Sequence, residues 1–420
     1  MFSISGNTHR ALGFVYLLHL LLTGTSVSLG QVLIPPEQAA VVPTESLTFG
    51  VAVSGQMALT CEHFAGISVL DITNPNLPQP IGQLDTPGQA RNAVIAGDLA
   101  YVADRNSGLR IIDLSSPPTL TELGTVDTPG LALGVAVSGD LVLVADKGFG
   151  LQVIDTSDPS LPSIIGAVDT PGLASDVVVQ EGFAYVADFD GGLVVIDLAS
   201  ATQPTVAGSF LTAGEANGLD VHGDLCAVAA LEGGLILLDI STPGTPTLLA
   251  TVPTGGAAYE AIFHDDLVVV ATAEGLEIIS VVVPTDPAVI TTYQTVGPAF
   301  QLARSGRHLA VACGGSGWEL VTFLEEPTAA LDLPAPGRLR AAPNPFNPRT
   351  VLDFSLPEAS WGELAVFDLS GRRVDTLRQG LFPAGDQSFH WTPTGLSSGV
   401  YLARLTTPFL TMTRRLTLVR

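Results

Sequence analysis

The chain has 420 residues, enough for two domains with ample cores. It carries 41 Asp+Glu against 17 Lys+Arg, a net charge of −24, and the excess is local: residues 1–336 sum to −28, while residues 337–420, with ten arginines against six acids, sum to +4. An acidic body repels a nucleic-acid backbone and leaves solubility, cation binding or a basic partner as its uses.

The first element is a secretory signal over residues 1–30. His9 and Arg10 precede an apolar run from Ala11 to Leu22, and small residues follow at Ser28 and Gly30. That run is 12 residues, short of the roughly 20 that span a bilayer. Cleavage is expected after Gly30, with Ser28 as the alternative. No other stretch reads as a membrane span, so the mature chain is expected to be secreted, extracellular or at the cell surface.

Residues 31–332 are dominated by a repeat. Gly66, Gly108, Gly150, Gly192, Gly234, Gly275 and Gly317 recur at intervals of 42 or 41 residues, each opening a segment such as GISVLDI, GLRIIDL, GLQVIDT or GLVVIDL. Within one unit, Leu133 to Gly172, four short apolar runs are separated by Gly, Asp, Pro and Ser turns. We label these runs a to d. Runs this short are strands rather than helices, and Ser-Gly-Asp between a and b is a hairpin signal. Four antiparallel strands in each of seven units predict an all-β, seven-bladed β-propeller; a parallel β-helix fits less well, because its coils rarely need a hairpin glycine in every unit. Gln38 to Glu45 sits one period before QLDTPG and reads like a run d, whereas the seventh unit lacks one after WELVTFL. The N-terminal segment is therefore expected to supply the last outer strand and to remove the free sheet edges.

The segments GLRIIDL, GLQVIDT, GLVVIDL and GLILLDI, each preceded by VAD or a variant, resemble the LVIVD-repeat family of bacterial and archaeal surface proteins over about Gln38 to Leu324. The resemblance implies a β-propeller and no assigned catalytic activity. Units six and seven depart from the pattern, with Ser280 and Thr322 in place of the closing Asp.

Residues 333–340 are a Pro/Gly-rich linker where the charge changes sign. Residues 341–420 begin PNPFNP and continue with LAVFDLSGRRV, AGDQSFHW, LSSGVYLARL and a terminal TRRLTLVR. Period-2 alternation and Ser-Gly turns predict a small Ig-like β-sandwich, with Phe354, Leu364, Val366, Trp391, Val400, Tyr401 and Leu402 in its core. The motif order resembles the C-terminal sorting domains of type IX secretion substrates, which overlap with the Ig-like domain of flagellar hook-capping (FlgD-type) proteins. That resemblance implies recognition by an outer-membrane export machinery. Two features depart from it: arginines (Arg414, Arg415, Arg420) end the chain where lysine is frequent, and WTPTG replaces an acidic turn.

Chemistry is sparse. Strand polarity puts the b–c and d–a loops on one face, where Glu62, Asp104, Asp146 and Asp188 would gather with Asp85, Asp127 and Asp169. Clustered carboxylates suit Ca²⁺, but an Asp at one place in every unit also describes a turn cap. Asp71, Asp113, Asp155, Asp197 and Asp239, ending run c, read as turn caps too. Binding residues should break the repeat. At the start of run a, the channel mouth, one step gives Phe49, Arg91, Leu133, Ser175, Asn217, Tyr259 and Phe300, and the next includes Asp176, Glu260 and Gln301. Phe49, Arg91, Asp176, Asn217, Tyr259, Glu260, Phe300 and Gln301 are the candidate ligand contacts. No G-x-S-x-G, H-E-x-x-H, C-x-x-C or phosphate loop occurs. The three cysteines, Cys61, Cys226 and Cys313, form no disulfide framework, although closure of a ring would place Cys61 and Cys313 in neighbouring units. The reading is a non-catalytic binding or display protein without a required cofactor, its partner an unknown extracellular protein or glycan and not nucleic acid. The alternative is an extracellular propeller hydrolase or lyase with a Ca²⁺-assisted site at the channel mouth.

Overall fold

The computed structural model describes residues 36–323 and, within 339–419, all save 343, 345, 348, 357–359, 369–371, 394 and 408–410. The signal expectation, and the linker expectation over residues 333–338, lie outside these residues; Leu339 and Arg340 belong to the C-terminal unit, in its core and its first strand. Among the described residues there is no helix, and so none long and apolar enough to cross a membrane.

Two units separate, Leu33–Glu325 and one containing Glu326–Arg420. The first holds seven four-stranded antiparallel sheets. In each, strands b and c are short and apolar, and most of their side chains are fully buried; Leu59, Ile67, Leu109, Ile111, Leu143 and Leu151 are examples. Strand a is buried at its start and half-buried further along. Strand d is half exposed. Strand a of every sheet touches strand a of the next, and Gln301–Ser305 of the seventh touches Gly50–Ser54 of the first, so the contacts run in a cycle.

The chain closes that cycle as its period predicted. Glu37–Val42 pairs antiparallel with Trp318–Thr322 and completes the seventh sheet. A detail identifies it as a true strand d. In the other six sheets strand d bulges at one position, leaving Ile81, Leu123, Ile165, Ala207, Leu249 or Ile290 outside the register. The N-terminal strand bulges at Ala39, the equivalent position.

The repeated glycine has two causes. All seven have positive φ, between 66° and 124°, where a Cβ is disfavoured. A Cβ on each would also strike a strand d carbonyl, that of Val168 for Gly150 and that of Val42 for Gly317. Gly139, in an a–b turn, has φ of 61° but open space around it. Gly139→Ala should therefore cost about 1 kcal/mol, and Gly150→Ala about 3 kcal/mol or more because backbone must also move. Denaturant midpoints of the two variants check the ranking.

The b–c loop tip stitches sheet to sheet. His63, Arg105, Phe189 and Leu231 have φ between 30° and 46°, and each bridges the residue that opens the following sheet (Ala90, Ala132, Ala216, Ala258); Gly314, φ 56°, bridges Thr48 across the closing seam. On the opposite face the expected caps are present. Asp71, Asp113, Asp155, Asp197 and Asp239 each accept the N–H two residues on, at 2.7–2.9 Å.

The C-terminal unit has a three-stranded and a four-stranded sheet around one core that includes Phe354, Leu364, Val366, Trp391 and Tyr401. Val400 and Leu402, expected in that core, are only half-buried. Side chains alternate across a strand, so Gly399–Thr406 turns Tyr401, Ala403 and Leu405 inward instead.

Candidate functional site

The carboxylates proposed for Ca²⁺ have other work. Asp104, Asp146 and Asp188 are fully buried. Each accepts a threonine hydroxyl and a glycine N–H from the d–a loop that precedes its sheet: Thr86 (2.7 Å) and Gly88 (2.8 Å), Thr128 (2.8 Å) and Gly130 (2.9 Å), Thr170 (2.5 Å) and Gly172 (2.7 Å). Burial pushes all three carboxyls up, while these hydrogen bonds pull them down.

The remaining sheets supply the control. Where that Asp is replaced by Ala230, Thr272, Cys313 or Glu62, the corresponding threonine turns onto its own loop. Thr212, Thr254, Thr295 and Thr44 donate to the carbonyls of Gly214, Gly256, Gly297 and Ser46 at 2.5–2.8 Å. The Asp is thus a loop clamp. Among the described residues no group of three or more His, Cys, Asp or Glu is placed to hold a metal ion. Asp146→Ala, which strands a hydroxyl and an N–H, should cost about 2 kcal/mol. Millimolar Ca²⁺ should move the wild-type melting temperature by less than about 2 °C, since a ligand stabilises only by what it binds.

The channel-mouth candidates do converge. Arg91, Asp176, Asn217, Glu260, Phe300 and Gln301 line one cavity with Asn92, Leu133 and Ser175. That cavity holds only about 20 Å³, room for about one water. Its polar groups bind the ring itself. Arg91 donates to the Phe49 carbonyl (3.2 Å), Ser175 to that of Asn217 (2.8 Å) and Asn217 to that of Tyr259 (2.6 Å), each joining neighbouring sheets at one repeat position. Gln301 and Asp176 accept the N–H groups of Val51 (3.0 Å) and Leu219 (3.3 Å).

Burial dominates the electrostatics. It pushes the Asp176 carboxyl up to about 6 and raises Glu260 well above the carboxylate range, with Asp176 adding to the effect. It also lowers Arg91.

Above this plug lies a strip of rings. Tyr259 meets Phe300 (5.1 Å between centroids), Phe300 meets Phe49 (5.2 Å), Phe49 meets His63 (5.3 Å) and His63 stacks on Phe64 (4.2 Å). The Arg91 guanidinium sits 5.2 Å over Phe49, and Phe64 is 68% exposed. His63 and Phe64 were absent from the candidate residues. They break the b–c loop pattern set by Arg105-Asn106, and that departure was readable.

The three cysteines are free and buried. Cys61 packs between the first and second sheets and Cys313 between the sixth and seventh. Although their units are neighbours, Cys61 and Cys313 form no disulfide, because the two side chains belong to different interfaces.

Four consecutive segments, residues 87–128, 129–170, 171–212 and 213–254, match the LVIVD repeat model. No curated protein matches the chain. Among solved structures, the crystal structure of the computationally designed Ika8 protein aligns over 90% of this chain and 99% of its own, with a TM-score of 0.52 at 11% identity, a likeness of fold alone. Residues 87–254, the second to fifth sheets, are four tandem LVIVD repeats.

Proposed function

We propose that residues 31–332 form a seven-bladed β-propeller that acts as a non-catalytic binding module outside the cell. Residues 341–420 then serve as an Ig-like sorting domain read by an outer-membrane export machinery, after a signal peptide at residues 1–30. The observation that carries the binding role is the ring strip from Tyr259 to Phe64. It runs across three adjacent sheets where the repeat is broken, and it ends on an exposed aromatic. Rigid aromatic groups beside a guanidinium are the kind of surface that anchors a protein or glycan partner. No cofactor enters this reading.

Binding of the labelled protein to surface fractions of its own cells tests the module. Tyr259→Ala with Phe64→Ser should weaken capture about tenfold and leave melting little changed; unaltered capture removes the strip as the binding surface. Deleting residues 341–420 should hold the protein inside the envelope, and unchanged release would sink the sorting role.

One observation favours an enzyme instead. Asp176 and Glu260 are paired buried carboxyls with raised proton affinity, the arrangement that general acid–base chemistry uses. Against it, the cavity between them has no room for a substrate. Hydrolysis of a polysaccharide panel that Asp176→Asn abolishes would establish the enzyme.

A further inference from the structure

We infer that the groove at the closing seam, between the seventh and first sheets, is a binding site for a basic side chain presented by a peptide. The groove has a volume of about 860 Å³, within the range of small-ligand sites (about 300–1,000 Å³). It is far larger than the channel cavity.

Three of its lining residues are departures from the repeat. Ser68 is the smallest at its position, where the other sheets hold Arg110, Gln152, Val194, Ile236, Glu277 and Glu319. Truncation there opens the space. Trp318 stands where the other six sheets hold Ile or Leu, and its buried indole N–H has no acceptor among the described residues. Glu62 takes the place of the clamped Asp, but it is not clamped. The d–a loop threonine, Thr44, has turned to Ser46 and Thr48. Glu62 is 3% exposed and, among the described residues, receives only the Thr60 hydroxyl, at 3.0 Å. Neither it nor the exposed Glu45 on the groove rim meets a cation among the described residues.

Those features specify the ligand. A buried carboxylate without a counter-charge is costly, and a cation completes it. Two acidic groups and no basic one in the lining exclude an anion. The walls of Pro43, Pro80 and the Trp318 ring suit a hydrocarbon stem. The indole N–H is closed to solvent and without an acceptor among the described residues; once the groove opens around a ligand, a peptide carbonyl supplies that acceptor and a simple amine does not. A lysine or arginine within a peptide carries all three parts: cation, stem and carbonyl.

Titration with a short acetylated peptide centred on lysine, followed by calorimetry on the full chain, tests this. Binding should be saturable, and a norleucine peptide should bind about tenfold weaker or less. Cadaverine, which keeps the amine and lacks the carbonyl, should also bind more weakly. Glu62→Gln should cut lysine-peptide affinity about tenfold. Ser68→Arg restores the residue of the second sheet, fills the groove with its own cation and should abolish binding while melting as wild type. Equal affinity for lysine and norleucine peptides, or full affinity in Ser68→Arg, overturns the site. Cadaverine binding as tightly as the peptide overturns the peptide assignment. None of these variants touches the ring strip, so capture by cell-surface fractions distinguishes failure here from failure of the proposed function.

Discussion

A chain that begins after Val42 should lose the order of magnitude of 10 °C in melting temperature, the largest effect expected of any small change. Removing Glu37–Val42 uncovers the whole edge of Trp318–Thr322. It also strips Glu319, a fully buried carboxyl, of the Gln38 amide that donates to it at 2.9 Å. Its other oxygen already lacks a partner among the described residues, and burial already raises its proton affinity. Loss of a whole strand of ladder hydrogen bonds together with that amide costs several kcal/mol. The bare edge would also pair with other chains. A synthetic peptide of residues 33–46 added in trans should recover much of the loss, because an edge strand is completed by main-chain hydrogen bonds whichever molecule brings them. Calorimetry of the truncated protein with and without peptide decides it. A truncated chain melting within about 2 °C of the full one would mean that the cycle is held by its inner strands alone.

The second large effect is on pH dependence. Asp176 and Glu260 bind protons more tightly in the folded chain than carboxyls do when unfolded. The native state therefore holds more protons than the unfolded state above the ordinary carboxylate range, and stability falls as pH rises through it. The Asp176 contribution is fully present below about pH 4 and disappears as pH passes about 6; Glu260 extends the fall to higher pH. For Asp176 alone the difference is on the order of 3 kcal/mol. Melting should thus be higher at pH 5 than at pH 7.5, the reverse of what a salt-bridged carboxylate gives. Asp71, Asp113, Asp155 and Asp239, whose turn hydrogen bonds lower them, lose their contribution only at more acidic pH. Asp176→Asn with Glu260→Gln should make the slope shallower, leaving the part owed to the other carboxyls that burial raises, Asp104, Asp146, Asp188, Asp220 and Glu319. A wild-type profile that is flat or rising between pH 5 and 7.5 would refute the assignment.

The architecture was legible because glycine is chemically singular. Gly66 through Gly317 sit where φ is positive and a strand d carbonyl passes close by, so any other residue is strained there and the period stands out in the sequence. The closing strand was legible for a related reason: Gln38 to Glu45 preserves the distance to the next turn. The site was only half legible. Arg91 and Asn217 could be picked as departures from the repeat, but they donate to main-chain carbonyls of the adjoining sheet, those of Phe49 and Tyr259, and no side-chain pattern records that. The Asp104, Asp146 and Asp188 series looked alike in both its readings, and only the switch of Thr212, Thr254, Thr295 and Thr44 to new partners separates them. The groove was hidden because it arises from something small, Ser68. In the C-terminal unit, Gly399–Thr406 opens with consecutive apolar residues that give no phase, so Val400 and Leu402 were placed inside; the exposed Arg404 fixes the alternation the other way.

Strand order along the chain has a further meaning for biogenesis. The segment that finishes the seventh sheet is the first of that unit to be synthesised, and its docking partner, Trp318–Thr322, is nearly the last. Until some 280 further residues have emerged, Glu37–Val42 has no sheet to join. Six sheets can mature one after another while the seventh waits. A chain stalled short of Trp318 would remain an unlatched crescent, vulnerable to proteases at both tips, and only a finished polypeptide would become resistant.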